Sequence, residues 1–443
     1  MFVGITNTPR DYAWGSRSGI AELLGRDASG GPEAELWLGA HPGSPSVVTS
    51  ATPALAGERL DAVLAADPEK LLGSGRSRLP FLMKVLAADG PLSLQVHPDP
   101  EQARAGFERE NIAGVPLDAP ERNYKDDAAK PELILALSPT FEALAGFQHV
   151  SMARLLMSEL MVGASGEDRE VLSRFAEELS AGHPAQTASL GSSADVTKVG
   201  MPVAGDTVPA HSAEGNALET VVARLLRGGD DVDRLVAAVV RAAPRVGEGT
   251  SFAREFATVG ELADRFPGDP GIVISMLMNR ISLAQGQALA LEAGTLHAYL
   301  QGLGIEVMTA SDNVLRGGLT PKSVDVDELL SITTFEAEPV PMVAPMAPVE
   351  GVTVWQPQGD DFVLAQVALG DAAGVHGYSL SGPGSASFAL SGPAVVLVVT
   401  GGITISGATD TISLARGDAA YVSPDERTLT FAGSGIAYVT TTP

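Results

Sequence analysis

Hydrophobic and polar positions alternate with a period of two in several segments of residues 1–150. Residues 34–39 and 92–97 both alternate in this way, which predicts half-buried strands because successive side chains of a strand point to opposite faces. Residues 130–137 form a third strand pattern, with a proline near its start, where proline is tolerated. Residues 58–72 carry apolar positions at helical spacing. We therefore expect the first part of the chain to be mainly β.

The period changes to that of a helix beyond residue 150. Four segments carry apolar residues at helical spacing, namely 153–161, 171–179, 218–243 and 252–266. Between the second and third of these, about residues 182–215 are rich in Gly, Ala, Ser, Thr and Pro, which predicts a loop or mobile linker. Strands are predicted again from residue 271 onward. This organisation indicates a helical insert between two β regions.

The chain from about residue 340 to 443 is strand-like nearly throughout. Strand patterns at 394–399, 401–405 and 418–424 are separated by Gly and Pro turns, which is typical of a sandwich or jelly roll. We predict a mainly β protein with a helical insert. Its domains are expected at 1–150 with 267–335, a discontinuous β domain, at 151–266, a helical insert with a flexible 183–215 segment, and at 336–443, a second β domain.

Composition narrows the classes of partner and of metal site. A length of 443 residues exceeds one ordinary core, and 45% apolar residues suffice to fill two or three. The formal charge of −25 disfavours nucleic acid and anionic membrane as partners, and it requires a local basic pocket for any anionic substrate. The absence of cysteine excludes disulfides and thiolate metal sites, so a zinc ion would need His, carboxylate or amide ligands.

The chain start lacks the basic and apolar regions of a secretory signal, and the longest apolar stretches have the length of a strand rather than of a membrane span. We therefore expect a cytoplasmic protein. We also expect a monomer.

Four side chains have the chemistry of a metal site without thiolates. Gln95 and His97 stand two apart in a strand pattern and therefore share a face, while Glu132 and His297 lie near two other predicted strands. Two imidazoles, a carboxylate and an amide would suit zinc and leave positions open for water or substrate. Each residue also has an ordinary structural interpretation, as a buried histidine or a solvated strand-end carboxylate. The spacing alone does not show that the four converge.

Several segments together resemble the signatures of type I mannose-6-phosphate isomerases. The first is Leu-Gln-Val-His-Pro-Asp at 94–99, followed by Asn-Tyr-Lys-Asp-Asp at 123–127 and Lys-Pro-Glu at 130–132. The second runs from Gly-Thr-Leu-His-Ala-Tyr-Leu at 294–300 through Glu306 to residues 310–322, which include Asp-Asn-Val-Leu-Arg-Gly-Gly-Leu-Thr-Pro-Lys. Smaller matches lie at 12–16, 35–42 and 268–271. The matches occur in order over about residues 10–335.

The resemblance implies cupin-like jelly-roll β domains and a zinc site formed by Gln95, His97, Glu132 and His297. It further implies that Arg316 lies in the active site, surrounded by Lys130, Glu306, Tyr299, Lys84 and Ser93. The implied activity is the interconversion of mannose 6-phosphate and fructose 6-phosphate. One departure is Ala128-Ala129, where the family commonly has polar residues, often an Asn-His pair, and this weakens a role for that stretch in positioning the substrate.

An aldose–ketose isomerase must move a proton between C1 and C2 through an enediol and stabilise the charge that develops on the sugar oxygens. Zinc would supply part of that stabilisation and Arg316 another part, because a guanidinium stays charged. The candidates for the base are Lys130, which cationic neighbours would favour in its neutral form, Glu306 and a metal-bound water. For Lys130 the alternative is a simple ion pair with Glu132 or a nearby Asp.

The phosphate requires positive charge in an acidic protein. Lys84 stands in an apolar strand pattern, where a lysine without a role would be costly, and Ser93 is near it in sequence. An edge-facing lysine is the alternative. Lys322 and Arg17 are further candidates to bind the phosphate.

Two other functions are compatible with these residues. The first is an Fe(II) oxygenase on a cupin scaffold, since His97, Glu132 and His297 would suffice for a two-His-one-carboxylate triad, although Gln95 argues against an open position for oxygen. The second is a non-catalytic sugar-phosphate-binding protein. In the last β region His376 is the only histidine, so a second metal site is not expected there.

Overall fold

Antiparallel strands dominate the computed structural model, which describes residues 1–179, 212–247, 249–373 and 379–443. The predicted linker at 183–215 lies outside these ranges except for residues 212–215, and His376 lies outside them as well. In chain order the strands are β1 (Phe2–Thr6), β2 (Glu35–Leu38), β3 (Val47–Val48), β4 (Phe81–Ala88), β5 (Gln95–Val96), β6 (Glu132–Ala136), β7 (Thr140–Phe147), β8 (Met278–Ala284), β9 (Ala288–Leu291), β10 (His297–Thr309), β11 (Leu315–Arg316), β12 (Met342–Val343), β13 (Met346–Val349), β14 (Val352–Trp355), β15 (Val363–Leu369), β16 (Asp371–Ala373), β17 (Ser379–Ser381), β18 (Ser385–Ala389), β19 (Ala394–Ser406), β20 (Thr411–Ala415), β21 (Ala419–Val422) and β22 (Thr428–Thr441).

Helices are fewer, and six of the eleven in the described residues lie between residues 150 and 275. They are α1 (Gly19–Leu24), α2 (Leu60–Ala66), α3 (Pro68–Leu72), α4 (Pro100–Ile112), α5 (Val150–Gly163), α6 (Glu167–Glu178), α7 (Ala213–Arg227), α8 (Asp230–Ala242), α9 (Ala253–Arg265), α10 (Gly271–Ser275) and α11 (Val326–Ile332), with 3-10 turns at Pro53–Leu55, Ala243–Arg245 and Pro424–Glu426. The prediction of a mainly β chain with a helical insert is confirmed. None of the helices described is long and apolar enough to cross a bilayer.

The chain forms two compact units. One comprises 1–145, 280–333 and 340–443, and the other comprises 146–279 and 334–339. The first unit contains two large sheets. In sheet I the strand order is β11-β5-β10-β6-β9-β12, with β4 beside β10, β2 beside β4, and β7 and β8 also attached. In sheet II the order is β13-β14-β15-β22-β19-β21-β1-β3, with β18 beside β22 and β20 beside β19. Strands β16 and β17 form a separate pair.

Two predicted helices are each divided in the structure. The helix expected at 58–72 is broken between α2 and α3 because Pro68 has no N–H to continue it, and the Asp67 side chain accepts from the N–H of Lys70 to begin α3. The helix expected at 218–243 is divided by Gly228 and Gly229, whose φ angles of 71° and 117° no helix allows.

Two strand predictions also differ from the structure. The strand expected at 92–97 is reduced to β5, because the N–H groups of Leu92 and Leu94 bond to Tyr299 and Gly318, outside a regular ladder. The return to strands at residue 271 is delayed by α10, so β8 begins at Met278.

The two faces of sheet I have different chemistry because its strands alternate. One face joins sheet II in a shared apolar core. Sheet I contributes Met83, Val85, Leu133, Leu135, Ile305 and Val307 to this core, and sheet II contributes Leu364, Val395, Leu397, Tyr421 and Tyr438. The alternate positions of the same strands of sheet I therefore point to its other face, where the charged residues lie.

Candidate metal centre and active site

Three buried side chains from separate strands converge on the charged face of sheet I. The ligand atoms of His97, Glu132 and His297 lie within 4.8 Å of one another. His97 Nε2 is 3.2 Å from Glu132 Oε1, and His297 Nε2 is 3.6 Å from Glu132 Oε2. Three of the four side chains whose convergence the spacing left open therefore lie together.

Strand register explains part of this arrangement. His297 begins β10 and pairs with Gln95 of β5, and Gln95 pairs on its other side with Arg316 of β11. Directly paired residues of antiparallel strands point to the same face, so His297, Gln95 and Arg316 form one row. His97 follows β5 directly, and Glu132 begins β6 on the other side of β10. Gln95 and His297 are thus neighbours by direct pairing, whereas Glu132 pairs with Met308 near the other end of β10, so its closeness to His297 does not follow from pairing.

Both imidazoles present a free nitrogen to Glu132. Nδ1 of His97 donates to the carbonyl oxygen of Asn313 at 2.7 Å, and Nδ1 of His297 donates to that of Thr295 at 2.9 Å. Each Nε2 therefore carries a lone pair. A lone pair and a carboxylate oxygen both accept hydrogen bonds, so their approach is not a hydrogen bond. Among the residues that the structure describes, the buried His97 Nε2 has no hydrogen-bond partner. Two imidazole acceptors beside a carboxylate fit a cation such as zinc.

The ionisation of the cluster supports this interpretation. Burial, with the charge of Lys130, lowers the pKa of His97 to about 4, and burial also lowers the pKa of His297. Burial alone would raise the pKa of Glu132, but the charges of Lys130 and His97 outweigh it and hold that pKa well below its usual range. At neutral pH the cluster is thus two neutral imidazoles and one anion, the forms that bind metal.

Lys130 lies beside the cluster in an ion pair. Its Nζ is 3.0 Å from Glu132 Oε1, so the ion pair that we considered as the alternative for Lys130 is present in the structure. The same contact also brings the amine next to the candidate metal ligands.

Lys84 belongs to a buried ionic network on the same face. Its Nζ is 2.8 Å from Glu306 Oε2 and 3.6 Å from Glu35 Oε1, and it lies 5.1 Å from the centre of the Trp37 ring. Because β4 is paired on both sides, with β2 and β10, the alternative of an edge-facing lysine is wrong. Burial would lower the pKa of Lys84, but the charges of Glu306 and Glu35 raise it above its usual value.

Two further groups of this face have pKa values shifted by burial. Burial raises the pKa of Glu306, although Lys84 opposes the shift. Burial also raises the pKa of Tyr299 well above its usual value, and the charge of Glu306 adds to the shift.

Arg316 and Lys322 are two neighbouring cations, in contrast to Lys84, which lies beside carboxylates. Burial lowers the pKa of Arg316, and the charge of Arg316, followed by burial, lowers the pKa of Lys322. Within the ranges that the structure describes, neither cation lies in a salt bridge with a carboxylate. Two neighbouring cations without an acidic partner are suited to an anion.

The remaining predicted residues have weaker contacts. Ser93 is partly buried in the segment before β5. Arg17 is exposed and donates to the carbonyl oxygen of Gly30 at 2.9 Å.

Two residues near the site, Trp37 and His41, were not assigned a role from the sequence. Trp37 Nε1 donates to Glu35 Oε2 at 2.9 Å, next to Lys84. His41 is buried, and its Nε2 lies 3.5 Å from Asp312 Oδ1. Both Trp37 and His41 lie in the short match at 35–42, so the signal was present but did not indicate a function.

Comparison with known proteins identifies the family. The type I phosphomannose isomerase catalytic domain matches residues 2–150. Mannose-6-phosphate isomerase of Escherichia coli (strain K12) is 32% identical over 437 residues, covering 97% of both chains. The mouse (Mus musculus) mannose-6-phosphate isomerase is 29% identical over 447 residues, covering 95% of this chain and 93% of its own.

A solved structure agrees with the fold. The crystal structure of a mannose 6-phosphate isomerase bound with zinc and yttrium superimposes with a TM-score of 0.78 at 30% identity, over 100% of this chain and 99% of the other. The predicted architecture of cupin-like β domains with a helical part is confirmed. The chain belongs to the type I mannose-6-phosphate isomerase family.

Proposed function

We propose that this protein is a zinc-dependent isomerase that interconverts mannose 6-phosphate and fructose 6-phosphate through an enediol. The observation that carries the proposal is the buried His97–Glu132–His297 cluster, together with Arg316, which has no acidic partner among the described residues. Family membership supplies the substrate, since relatives that match nearly the whole chain are mannose-6-phosphate isomerases.

His97, Glu132 and His297, with Gln95 from the adjacent row, would hold the zinc ion. When bound, the ion supplies Lewis acidity to the sugar oxygens at C1 and C2. The chain's own residues must then orient the sugar, stabilise the enediol and transfer the proton. Arg316 shares a row with two of these ligands, which suits a guanidinium that stabilises negative charge on the sugar oxygens.

Two side chains are candidates for the base that moves the proton between C1 and C2. Lys130 lies against Glu132, with its Nζ 3.0 Å from Oε1. Glu306 has a pKa raised first by burial, which makes it a stronger proton acceptor than an ordinary carboxylate. We favour Lys130 because its Nζ is adjacent to the ligand cluster, whereas Glu306 is engaged by Lys84.

The phosphate of the substrate is better matched to Lys322 than to Lys84. The charge of Lys84 is already balanced by Glu306 and Glu35, while Lys322 lies next to Arg316 and has a pKa lowered by that neighbour. An incoming dianion would relieve this repulsion between cations. We propose Ser93 and Tyr299 as polar contacts to the sugar, with Lys84 keeping Glu306 in place.

The decisive experiment is an isomerase assay on metal-stripped protein, with single metals added back. Zinc should restore conversion of mannose 6-phosphate to fructose 6-phosphate, and a chelator should remove it. Activity with iron and uptake of oxygen would instead support the oxygenase, which requires the same three ligands. Saturable binding of the sugar phosphate without turnover would support a non-catalytic binding protein.

Two variants separate the metal from the guanidinium. His297→Ala should lose both zinc and activity. Arg316→Ala should keep zinc but lose roughly 10²–10³-fold in kcat, the usual effect of removing one stabilising donor. A kcat for Arg316→Ala within a few-fold of the parent would show that its assigned role is wrong.

We further propose that the protein acts as a cytoplasmic monomer with three domains. These are the catalytic β domain at 1–150 with 267–335, the helical insert at 151–266 and the second β domain at 336–443. Light scattering after size-exclusion chromatography tests the oligomeric state, and a mass twice that of the 45.5 kDa chain would contradict it.

A further inference from the structure

Asn313 connects the candidate metal centre to the segment that leads to Lys130 and Glu132. It is fully buried in the turn between β10 and β11, and its own main-chain carbonyl accepts the hydrogen bond from His97 Nδ1. We infer that Asn313 is a positioning residue that fixes the tautomer and orientation of His97. This inference rests on the proposed zinc-dependent function only where it concerns metal affinity.

The side chain of Asn313 satisfies four main-chain groups of residues 125–128. Its Oδ1 accepts from the N–H groups of Lys125 at 2.7 Å and Asp126 at 3.2 Å. Its Nδ2 donates to the carbonyl oxygens of Asp126 at 2.9 Å and Ala128 at 2.8 Å. Donors face one end of the amide and acceptors face the other, so no other side chain of this size satisfies all four groups.

The turn that contains Asn313 is held to the same segment by its neighbours. Ser311 Oγ donates to the carbonyl of Ala128 at 3.2 Å, and Thr309 Oγ1 donates to that of Ala129 at 2.7 Å. The Asn313 carbonyl is therefore held in place relative to the segment that ends at Lys130.

The hydrogen bond to the Asn313 carbonyl determines which nitrogen of the His97 ring carries the proton. A carbonyl oxygen can only accept, so it requires a proton on Nδ1 and leaves the lone pair on Nε2, the atom that faces Glu132. Hydrogen bonds of this kind, made by the second nitrogen of a metal-binding histidine, typically account for about 10–100-fold in metal affinity.

The test compares two asparagines with the same bonding pattern. Asn313→Asp keeps the acceptor end but places a carboxylate oxygen against the carbonyls of Asp126 and Ala128. Asn7→Asp makes the same change elsewhere, since Asn7 Nδ2 donates to the carbonyls of Trp37 and Ser44, both at 2.9 Å, and Oδ1 accepts from Thr8. Asn7 contacts none of the proposed metal ligands.

Zinc affinity is measured on metal-stripped protein by competition with a chelator, well below the unfolding temperature of every variant. Asn313→Asp should bind zinc about 10–100-fold more weakly, and Asn7→Asp should bind it like the parent. Equal affinity of Asn313→Asp and the parent, or an equal loss in Asn7→Asp, would overturn the positioning role. If Asn313→Asp does not fold, Asn313→Ser provides the same comparison with a smaller perturbation.

A second readout does not depend on metal. The protonated nitrogen of His97 is identified by ¹⁵N NMR of metal-stripped protein that contains ¹⁵N-labelled histidine. The signal of His97 is the one that is lost in His97→Gln, and it should report a proton on Nδ1. Asn313→Asp should shift this signal and leave that of His297, which bonds to Thr295, unchanged. A proton on Nε2 of His97 in the parent would overturn the inference. A parent that shows the expected tautomer but binds no zinc would instead refute the proposed function.

Discussion

In both sheet I and sheet II, successive side chains of a strand point to opposite faces, but the faces outside their shared core differ in chemistry. Each places one face in the core that they share. The second face of sheet II is packed with apolar side chains, including Val367, Val396 and Phe431. The second face of sheet I carries Glu132, Lys84 and Glu306 at equally buried positions. Glu132, Lys84 and Glu306 are each paired with an opposite charge, and these paired charges form part of the site.

The largest effect is expected from placing one unpaired charge in sheet II. Val396 is completely buried among apolar side chains, so Val396→Glu should lower the free energy of unfolding by several kcal/mol, because the described residues of this cluster offer no charge to compensate the carboxylate. Denaturant titration measures this loss. Stability close to that of the parent would mean that sheet II accepts charge as readily as sheet I.

Removing one partner of a buried ion pair in sheet I should lower the free energy of unfolding by a smaller but still large amount. Lys84→Met leaves Glu306 and Glu35 without their cation and should reduce the free energy of unfolding by roughly 3–5 kcal/mol near neutral pH. Without Lys84, the pKa of Glu306 should rise further above its unfolded value. Stability gained from a raised carboxyl pKa is present at low pH and lost as the pH rises through the folded pKa. The deficit should therefore shrink on acidification, and a deficit independent of pH would contradict this account.

A conservative truncation in sheet II should have a small effect. Ile405→Val removes one methylene from a fully buried position and should lower the free energy of unfolding by about 0.5–1.5 kcal/mol. Zinc content and isomerase activity should remain those of the parent. A loss of activity without loss of zinc would show that sheet II influences the site directly.

The smallest net effect on stability is expected when both partners in sheet I are replaced. Lys84→Met with Glu306→Leu exchanges a buried ion pair for apolar side chains, and such exchanges are often neutral or stabilising. We expect the double variant to regain most of the stability lost in Lys84→Met while its activity stays low. A double variant as unstable as the single one would mean that the contacts of Lys84 with Glu35 and Trp37 dominate.

The sequence was a good guide where local pattern decides the structure. Alternation predicted the strands that contain Glu132 and Trp37, and helical spacing predicted the insert. The division at Gly228 and Gly229 had a visible signal, two consecutive glycines, although the apolar spacing continues across them. The convergence of His97, Glu132 and His297 could not follow from periodicity, because it depends on the order of strands in a sheet. The resemblance to a family supplied that information.

Other features of the site had no signal in the sequence. The network of Lys84 depends on cross-strand partners in β2 and β10, which only the register determines. The contact of Asn313 with His97 is made by a main-chain carbonyl, an atom that every residue has. Residue type therefore cannot reveal it.

Strand β1 pairs with β21 over four residues, so an early segment of the chain completes a sheet made mostly of late ones. Strand β21 is synthesised more than 400 residues after β1, so this pairing cannot form until the chain is almost complete. Pairings between such distant segments form slowly. Before β1 and β21 pair, each has an unpaired edge that can associate with other chains. A fragment that ends at residue 340 lacks β21, so the edge of β1 that pairs with β21 would stay unpaired.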